Sequence, residues 1–234
     1  MGTYRLEFSK GPEVRFISHL ELMRAFERAM RRAGLPLAFS EGFNPHPKMA
    51  FASALAVGVT SDSEYLDLEL REDLAAEEIK NRLNQSLPPG LKVKQCVFLA
   101  KKEKALMAMV ALASYQAKVK LLSSLSQAEL EKLSAALLQK TSLVIEKAGK
   151  KGPEAKDIRP GLKELRCIGI EDGWAEFTFA VQSGSEGNIR PEEVLKALKE
   201  IGQIPIEVDL AVIKRTGLFK KENGRFKPLI EPKE

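Results

Sequence analysis

The chain has 234 residues, 44% hydrophobic and 29% charged, with 37 Lys and Arg against 32 Asp and Glu for a formal charge of +5. This suits a folded chain of one large domain or two of ordinary size, and it permits nucleic-acid binding without requiring it. No apolar run approaches the ~20 residues a membrane helix needs, and the N-terminus lacks the basic region and apolar core of a secretory signal. The expectation is a cytoplasmic protein with no membrane attachment.

The alternation over residues 4–9 predicts a first strand. A helix over 18–33 follows, opened by Ser18 and Glu21 in capping-box spacing. At 100° per residue Leu22, Met23, Phe26, Ala29, Met30 and Ala33 fall on one arc, and Arg24, Arg28 and Arg31 cluster on another with Arg32 at its margin. The arginine stripe reads either as a solvated face neighboured by Glu21 and Glu27 or as an anion-binding face. Gly34 and Pro36 stop the helix. The loop over 40–48 then sets Pro45 and Pro47 on either side of His46, which restricts the pose of that ring. In such a loop Phe43 can stack on a base and Asn44 can bond its edge, while His46 and Lys48 can meet phosphate. A structural turn whose histidine caps a carbonyl is the bland alternative.

Strands are expected over 49–54 and 64–70. A helix from Asp73 carries Ile79 and Leu83 on its apolar face and ends at Pro88-Pro89-Gly90, before a strand over 92–100. The order βαββαβ is that of a ferredoxin-like domain. Residues 105–113, rich in Ala, Met and Leu, read as a short buried helix or connector. The order then repeats: strand 115–122, helix 126–140 capped by Ser126, strand 142–147, a hairpin of 163–170 and 174–181 around Asp172-Gly173, helix 191–201 and strand 206–214. The expected fold is α+β, two tandem ferredoxin-like domains with antiparallel sheets, over 1–104 and 105–234, the second embellished.

The second half holds its own candidate site. Residues 150–160 form a basic, turn-rich segment with Lys156 and Arg159, and the Gly-containing loop 183–191 brings Arg190 to a helix start, where free amides attract anions. An ordinary connection is the alternative reading, and Walker spacing is absent. Basic segments flank an acidic one: residues 61–79 hold eight acidic and one basic side chain, whereas the tail 214–234 holds seven basic and three acidic. Folding that gathers the basic segments creates a positive side. Cys96 and Cys167 lie in apolar runs with no C-x-x-C pair and read as small buried hydrophobes, and two histidines without a third ligand at metal spacing make a poor metal site. No cofactor is implied by the residues themselves.

Residues 15–28 (Arg-Phe-Ile-Ser-His-Leu-Glu-Leu-Met-Arg-Ala-Phe-Glu-Arg) and 42–48 (Gly-Phe-Asn-Pro-His-Pro-Lys) resemble the radical-SAM-associated domain of unknown function found in bacteria. That family occurs alone or fused to cobalamin-binding radical SAM proteins. The likeness continues at 57–61, 64–67, 156–160 and 187–191. The resemblance implies a cobalamin-binding radical SAM partner, which must bring its own iron–sulfur ligands, since this chain has no cysteine triplet.

Three readings of function follow. In the first, the chain is a noncatalytic RNA-binding module in which Arg24, Arg28, Arg31, Lys48, Lys156, Arg159 and Arg190 contact phosphates, Phe43, Asn44 and His46 engage an unstacked base, and the RNA is presented to the radical SAM enzyme. In the second it is a metal-independent RNA endonuclease with His19 and His46 as acid and base and Lys48 stabilising the phosphorane, by similarity of plan to CRISPR repeat-processing nucleases. In the third it is a protein-interaction subunit whose basic surface docks an acidic partner.

Overall fold

The computed structural model describes residues 2–101, 103–149 and 152–231, so Lys150 and Lys151 of the basic segment lie outside the described residues. The protein is mixed α+β, with mostly antiparallel sheet and few helices. It divides into two compact units, residues 1–110 with 217–234, and residues 111–216.

In the first unit the elements run β1 (Gly2–Lys10), α1 (His19–Arg32), β2 (Met49–Phe51), β3 (Thr60–Leu70), α2 (Ala76–Ser86), β4 (Leu91–Phe98) and α3 (Leu106–Met109). The strand order is β4-β1-β3-β2, every neighbour antiparallel. Alternation along β1 sends Tyr4, Leu6 and Phe8 into the core, where they meet Leu66, Leu68 and Leu70 of β3, Leu22, Phe26 and Met30 of α1, and Ile79 and Leu83 of α2. Phe8, Phe26 and Phe51 form a three-ring edge-to-face cluster with centroids 4.7 to 5.9 Å apart.

The opposite side of β1 is also covered, and by charge. Arg5 is 1% exposed. Its Nε and Nη2 donate to the two carboxylate oxygens of Asp67 at 2.8 and 2.9 Å, and its Nη1 donates to Glu103 at 2.7 Å and to the Leu229 carbonyl at 3.2 Å. Burial opposes the charged guanidinium, and the bonds and fields of Asp67 and Glu103 outweigh it, so its pKa is raised. Lys10, equally buried, donates to the carbonyls of Arg15 and Ile17 and so ties the entrance of α1 to the sheet.

Helix α2 starts at Ala76 rather than at Asp73. The hydroxyl of Tyr4 donates to the Leu74 carbonyl and accepts from the Leu74 amide, which holds that stretch out of helical geometry. Only Leu106–Met109 of the Ala/Met/Leu-rich connector is helical. Strand β5 begins at Val110, and from Leu112 onward it is committed to antiparallel pairing with Gln182 and the residues before it, so sheet pairing overrides helix propensity.

The second unit runs β5 (Val110–Leu121), α4 (Gln127–Gln139), β6 (Val144–Gly149), β7 (Gly152–Asp157), β8 (Leu162–Glu171), β9 (Trp174–Gln182), α5 (Pro191–Glu200) and β10 (Ile206–Glu222). Its strand order is β10-β5-β9-β8, with β6 and β7 forming a separate two-stranded ribbon. Ala113, Tyr115, Ala117 and Val119 of β5 and Ala175, Phe177, Phe179 and Val181 of β9 supply the buried face. Over residues 152–157 a ribbon strand stands within the turn-rich segment expected over 150–160; Pro153, which lacks an N–H, is tolerated because its strand has a single neighbour. Strand β10 extends well past Lys214 and turns at Asn223-Gly224, both at positive φ, into β11 (Arg225–Pro228), whose residues belong to the first unit.

Candidate nucleic-acid interface

Helix α1 is fixed at its start by the expected reciprocal cap: Glu21 N–H donates to Ser18 Oγ at 3.3 Å and Ser18 N–H to Glu21 Oε2 at 2.7 Å. The backbone and side chain of Ser18, with Arg24 adding a smaller attraction, hold the Glu21 carboxyl below the usual carboxylate range. The buried side of the helix carries Leu22, Phe26, Ala29 and Met30, which leaves Arg24, Arg28, Arg31 and Arg32 exposed. Arg31 pairs with Glu27 at 2.9 Å, and Arg32 donates to the Ser86 carbonyl. Arg31 also lies over the ring of Phe39 at 5.4 Å, and Arg71 lies over the same ring at 5.6 Å, beside a depression of about 480 Å³.

Phe39 leads directly into the proline-braced loop. A bridge between Phe39 and Pro47 closes its neck, Ser40 N–H donates to the His46 carbonyl at 2.8 Å, His46 N–H donates to Ser40 Oγ at 3.0 Å, and Lys48 N–H donates to the Ala38 carbonyl at 2.8 Å. Gly42, at φ +115°, takes a bend that a side chain resists. Within this closed loop Phe43 is 112% exposed, its ring wholly in water. Asn44 and His46 are exposed beside it. Lys48 reaches Glu69 at 3.4 Å, an exposed pair of modest strength. Arg24, Arg28, Arg31, Phe43, Asn44, His46 and Lys48 are therefore all solvent-facing residues of one unit.

His19 is half-buried at the head of α1, edge-on to Phe51 at 5.3 Å. Its Nδ1 is sealed and has no hydrogen-bond partner among the described residues, and burial pushes its pKa down, which keeps the ring neutral at pH 7. His19 and Lys48 line a common groove; His46 is not among the residues that line it. Among the described residues no group of three His, Cys, Asp or Glu is placed to hold a metal ion.

In the second unit Lys156 is engaged by Glu193 at 2.6 Å and by the Asn188 carbonyl at 2.7 Å. Arg159 donates to the carbonyls of Leu138, Lys140 and Leu162, closing the C-terminal end of α4. The Arg190 side chain is exposed at the start of α5, while its N–H donates to Glu193. Lys156 and Arg190 border a depression of about 420 Å³ that Glu146, Glu192 and Glu193 share, which blunts its positive charge. Cys96 and Cys167 are free and buried, and burial pushes the Cys167 thiol up.

Sequence reasoning missed Arg5, Lys10 and Arg71. Arg71 had a readable signal, a basic residue alone within an acidic segment; Arg5 sits at a position that strand alternation alone assigns to solvent, and Lys10 shares the inward phase of Tyr4, Leu6 and Phe8, where a lysine is not expected.

Fold and surface together define an α+β protein carrying a cationic helix and a closed loop that offers an aromatic ring to solvent. The chain belongs to the family described as uncharacterised proteins conserved in bacteria (DUF2344), whose profile matches residues 3–191. No curated protein matches it. Among solved structures it is similar to a chain of a Cbf5–Nop10–Gar1 complex (12% identity, TM-score 0.47, covering 94% of this chain and 50% of that one). It is similar also to a chain of the archaeal box H/ACA sRNP Nop10–Cbf5 complex (12%, 0.46, 94% and 49%). A third is a chain of an H/ACA RNP bound to a substrate RNA containing 2′-deoxyuridine (11%, 0.46, 97% and 48%). The chain spans about half the length of these solved chains, and the likeness is too coarse to carry a functional argument. No helix among the described residues is long and apolar enough to cross a membrane.

Proposed function

We propose that this protein is a noncatalytic RNA-binding module that grips single-stranded or looped RNA with the α1 arginines and the loop 40–48. The observation that carries the reading is Phe43, an aromatic ring fully in water on a loop closed by three backbone-anchored hydrogen bonds. Exposing such a ring forfeits the burial that elsewhere stabilises a phenylalanine by about 1.5–3 kcal/mol, and rigid presentation lowers the entropy lost when a base stacks on it. Arg24, Arg28 and Arg31 supply phosphate contacts, and Asn44, His46 and Lys48 complete the grip. Arg190 is an accessory contact in the second unit. Lys156 and Arg159 are held by internal partners and contribute chiefly to fold.

The strand orders β4-β1-β3-β2 and β10-β5-β9-β8 support two tandem ferredoxin-like domains, over 1–104 and 105–234, as the scaffold. By its resemblance to the radical-SAM-associated family, the partner on this reading is a cobalamin-binding radical SAM protein in the cytoplasm, to which the RNA is presented.

The test is fluorescence anisotropy with a labelled single-stranded RNA across a salt series. Affinity that falls steeply with salt, and drops about 5- to 150-fold in Phe43→Ala in line with one lost stacking contact of about 1–3 kcal/mol, supports the module. Binding of a partner protein with no RNA affinity at low salt favours the protein-interaction subunit. RNA cleavage leaving a 2′,3′-cyclic phosphate in chelator, abolished in His19→Ala, would replace binding by catalysis.

A further inference from the structure

Lys48 ends the loop and also forms part of the wall of a groove of about 880 Å³, within the range of sites that take small ligands. Its wall includes His19, Met23, Met49, Phe51 and Met107, all in the first unit. The thioethers make the wall apolar, polarizable and able to adapt to a flat ring. The carboxylates that reach it are already matched, Asp67 and Glu103 by Arg5 and Glu69 by Lys48. Beyond apolar surface the groove therefore offers the amines of Lys101 and Lys104 and one further hydrogen-bond donor.

His19 supplies it. The ring is neutral at pH 7 because burial lowers its pKa, so it carries one N–H. Nδ1 is sealed without a partner among the described residues, and a buried unbonded N–H costs about 1–3 kcal/mol. The proton therefore sits on Nε2, the ring nitrogen left open to the groove.

We propose that this groove receives one unpaired RNA base, with His19 Nε2–H donating to an acceptor on the base edge, the methionine side chains packing its faces, and Lys48 holding the adjoining phosphate. The inference rests on the RNA-binding reading and deepens it: Lys48 belongs both to the gripping loop and to the wall of the groove. The methionine side chains suit the flat faces of a base, and Lys101 and Lys104, which also line the groove, add cations for the phosphates that flank it.

The experiment has two arms. In the first, uridine is added to the wild-type protein and the ring nitrogens of both histidines are followed by NMR; His19 is expected to shift and His46, outside the groove, to serve as the internal control. In the second, RNA affinity is measured for Ala50→Trp, which places an indole in the groove from exposed β2, and for His19→Phe, each expected to bind about tenfold more weakly than wild type. Against an RNA with an abasic residue at the contacted position, both variants should match the wild type. Undisturbed His19 resonances at tens of millimolar uridine, or RNA affinity within twofold of wild type in both variants, would overturn the proposal while leaving the RNA grip intact. Loss of all RNA affinity with His19 still answering to uridine would sink the RNA reading and leave the base site standing.

Discussion

Replacing Arg5 with Met removes the charge and roughly keeps the volume, and it should be among the most destabilising single changes in the first unit. The guanidinium makes two charge-assisted bonds to Asp67, one to Glu103 and one to the Leu229 carbonyl, at 1% exposure. Asp67, itself only 17% exposed in its side chain, would be left charged and unpaired. Breaking a buried pair from one side costs about 3–5 kcal/mol, and the value should fall toward the lower end because Glu103, at 38% exposure, can recover water. With a urea m-value of about 2 kcal/mol/M, a loss of about 3 kcal/mol lowers the midpoint by about 1.5 M. Amide exchange on β1 and β3 should report it. The fluorescence of Trp174, the chain's only tryptophan, reports the second unit and separates local from global loss. Adding Asp67→Leu should restore part of the stability, since a matched apolar pair strands no charge. A midpoint shift under 0.3 M, on the order of 0.6 kcal/mol, or no rescue by Asp67→Leu, would refute the argument that this network locks β1, β3 and the C-terminal segment together.

Ser18→Ala should cost about 1 kcal/mol through the lost cap of α1, and Ser126→Ala about the same at α4, both measured by urea unfolding. The Glu21 and Glu129 carboxyls are held below their ordinary value of 4.5, so the stability they add is present above that pH and is lost as pH falls through their lowered values; acid titrations of the two Ser→Ala variants should show a shallower decline than wild type. Arg24→Gln with Arg28→Gln removes two phosphate contacts and should reduce the slope of log K against log salt by about 1.4 for single-stranded RNA, with an unchanged slope counting against them as phosphate ligands. Arg159→Ala should destabilise the second unit by about 2 kcal/mol through carbonyls left unsatisfied at the end of α4, yet leave the RNA affinity of the folded protein within twofold.

Much of the helix-and-strand order was readable because local chemistry agrees with the final packing. Ser18 and Glu21 announce α1, Pro88-Pro89-Gly90 announces the end of α2, and Asp172-Gly173 marks a hairpin whose positive φ values need those residues. Asn223-Gly224 carries the same hairpin signal and defines β10 and β11, though a basic tail disguises it. What resisted reading depends on partners far along the chain. Arg5 looks like an outward-facing strand residue until Asp67, Glu103 and Leu229 converge on it, and residues 112–113 look helical until β9 claims them. The solvent-facing loop and arginine stripe were legible as chemistry; the groove was not, because His19, the stretch from Lys48 to Phe51, and Met107 come from three separate segments.

The central claim is that the exposed helix–loop surface binds RNA. Crosslinking and sequencing of RNA recovered with the tagged protein from cells, beside a normally folded Arg28→Glu, His46→Ala variant, tests it most directly. Enrichment of a defined RNA class by the wild type, lost in the variant, is the predicted result; recovery no greater than that of a tag-only control would contradict the claim.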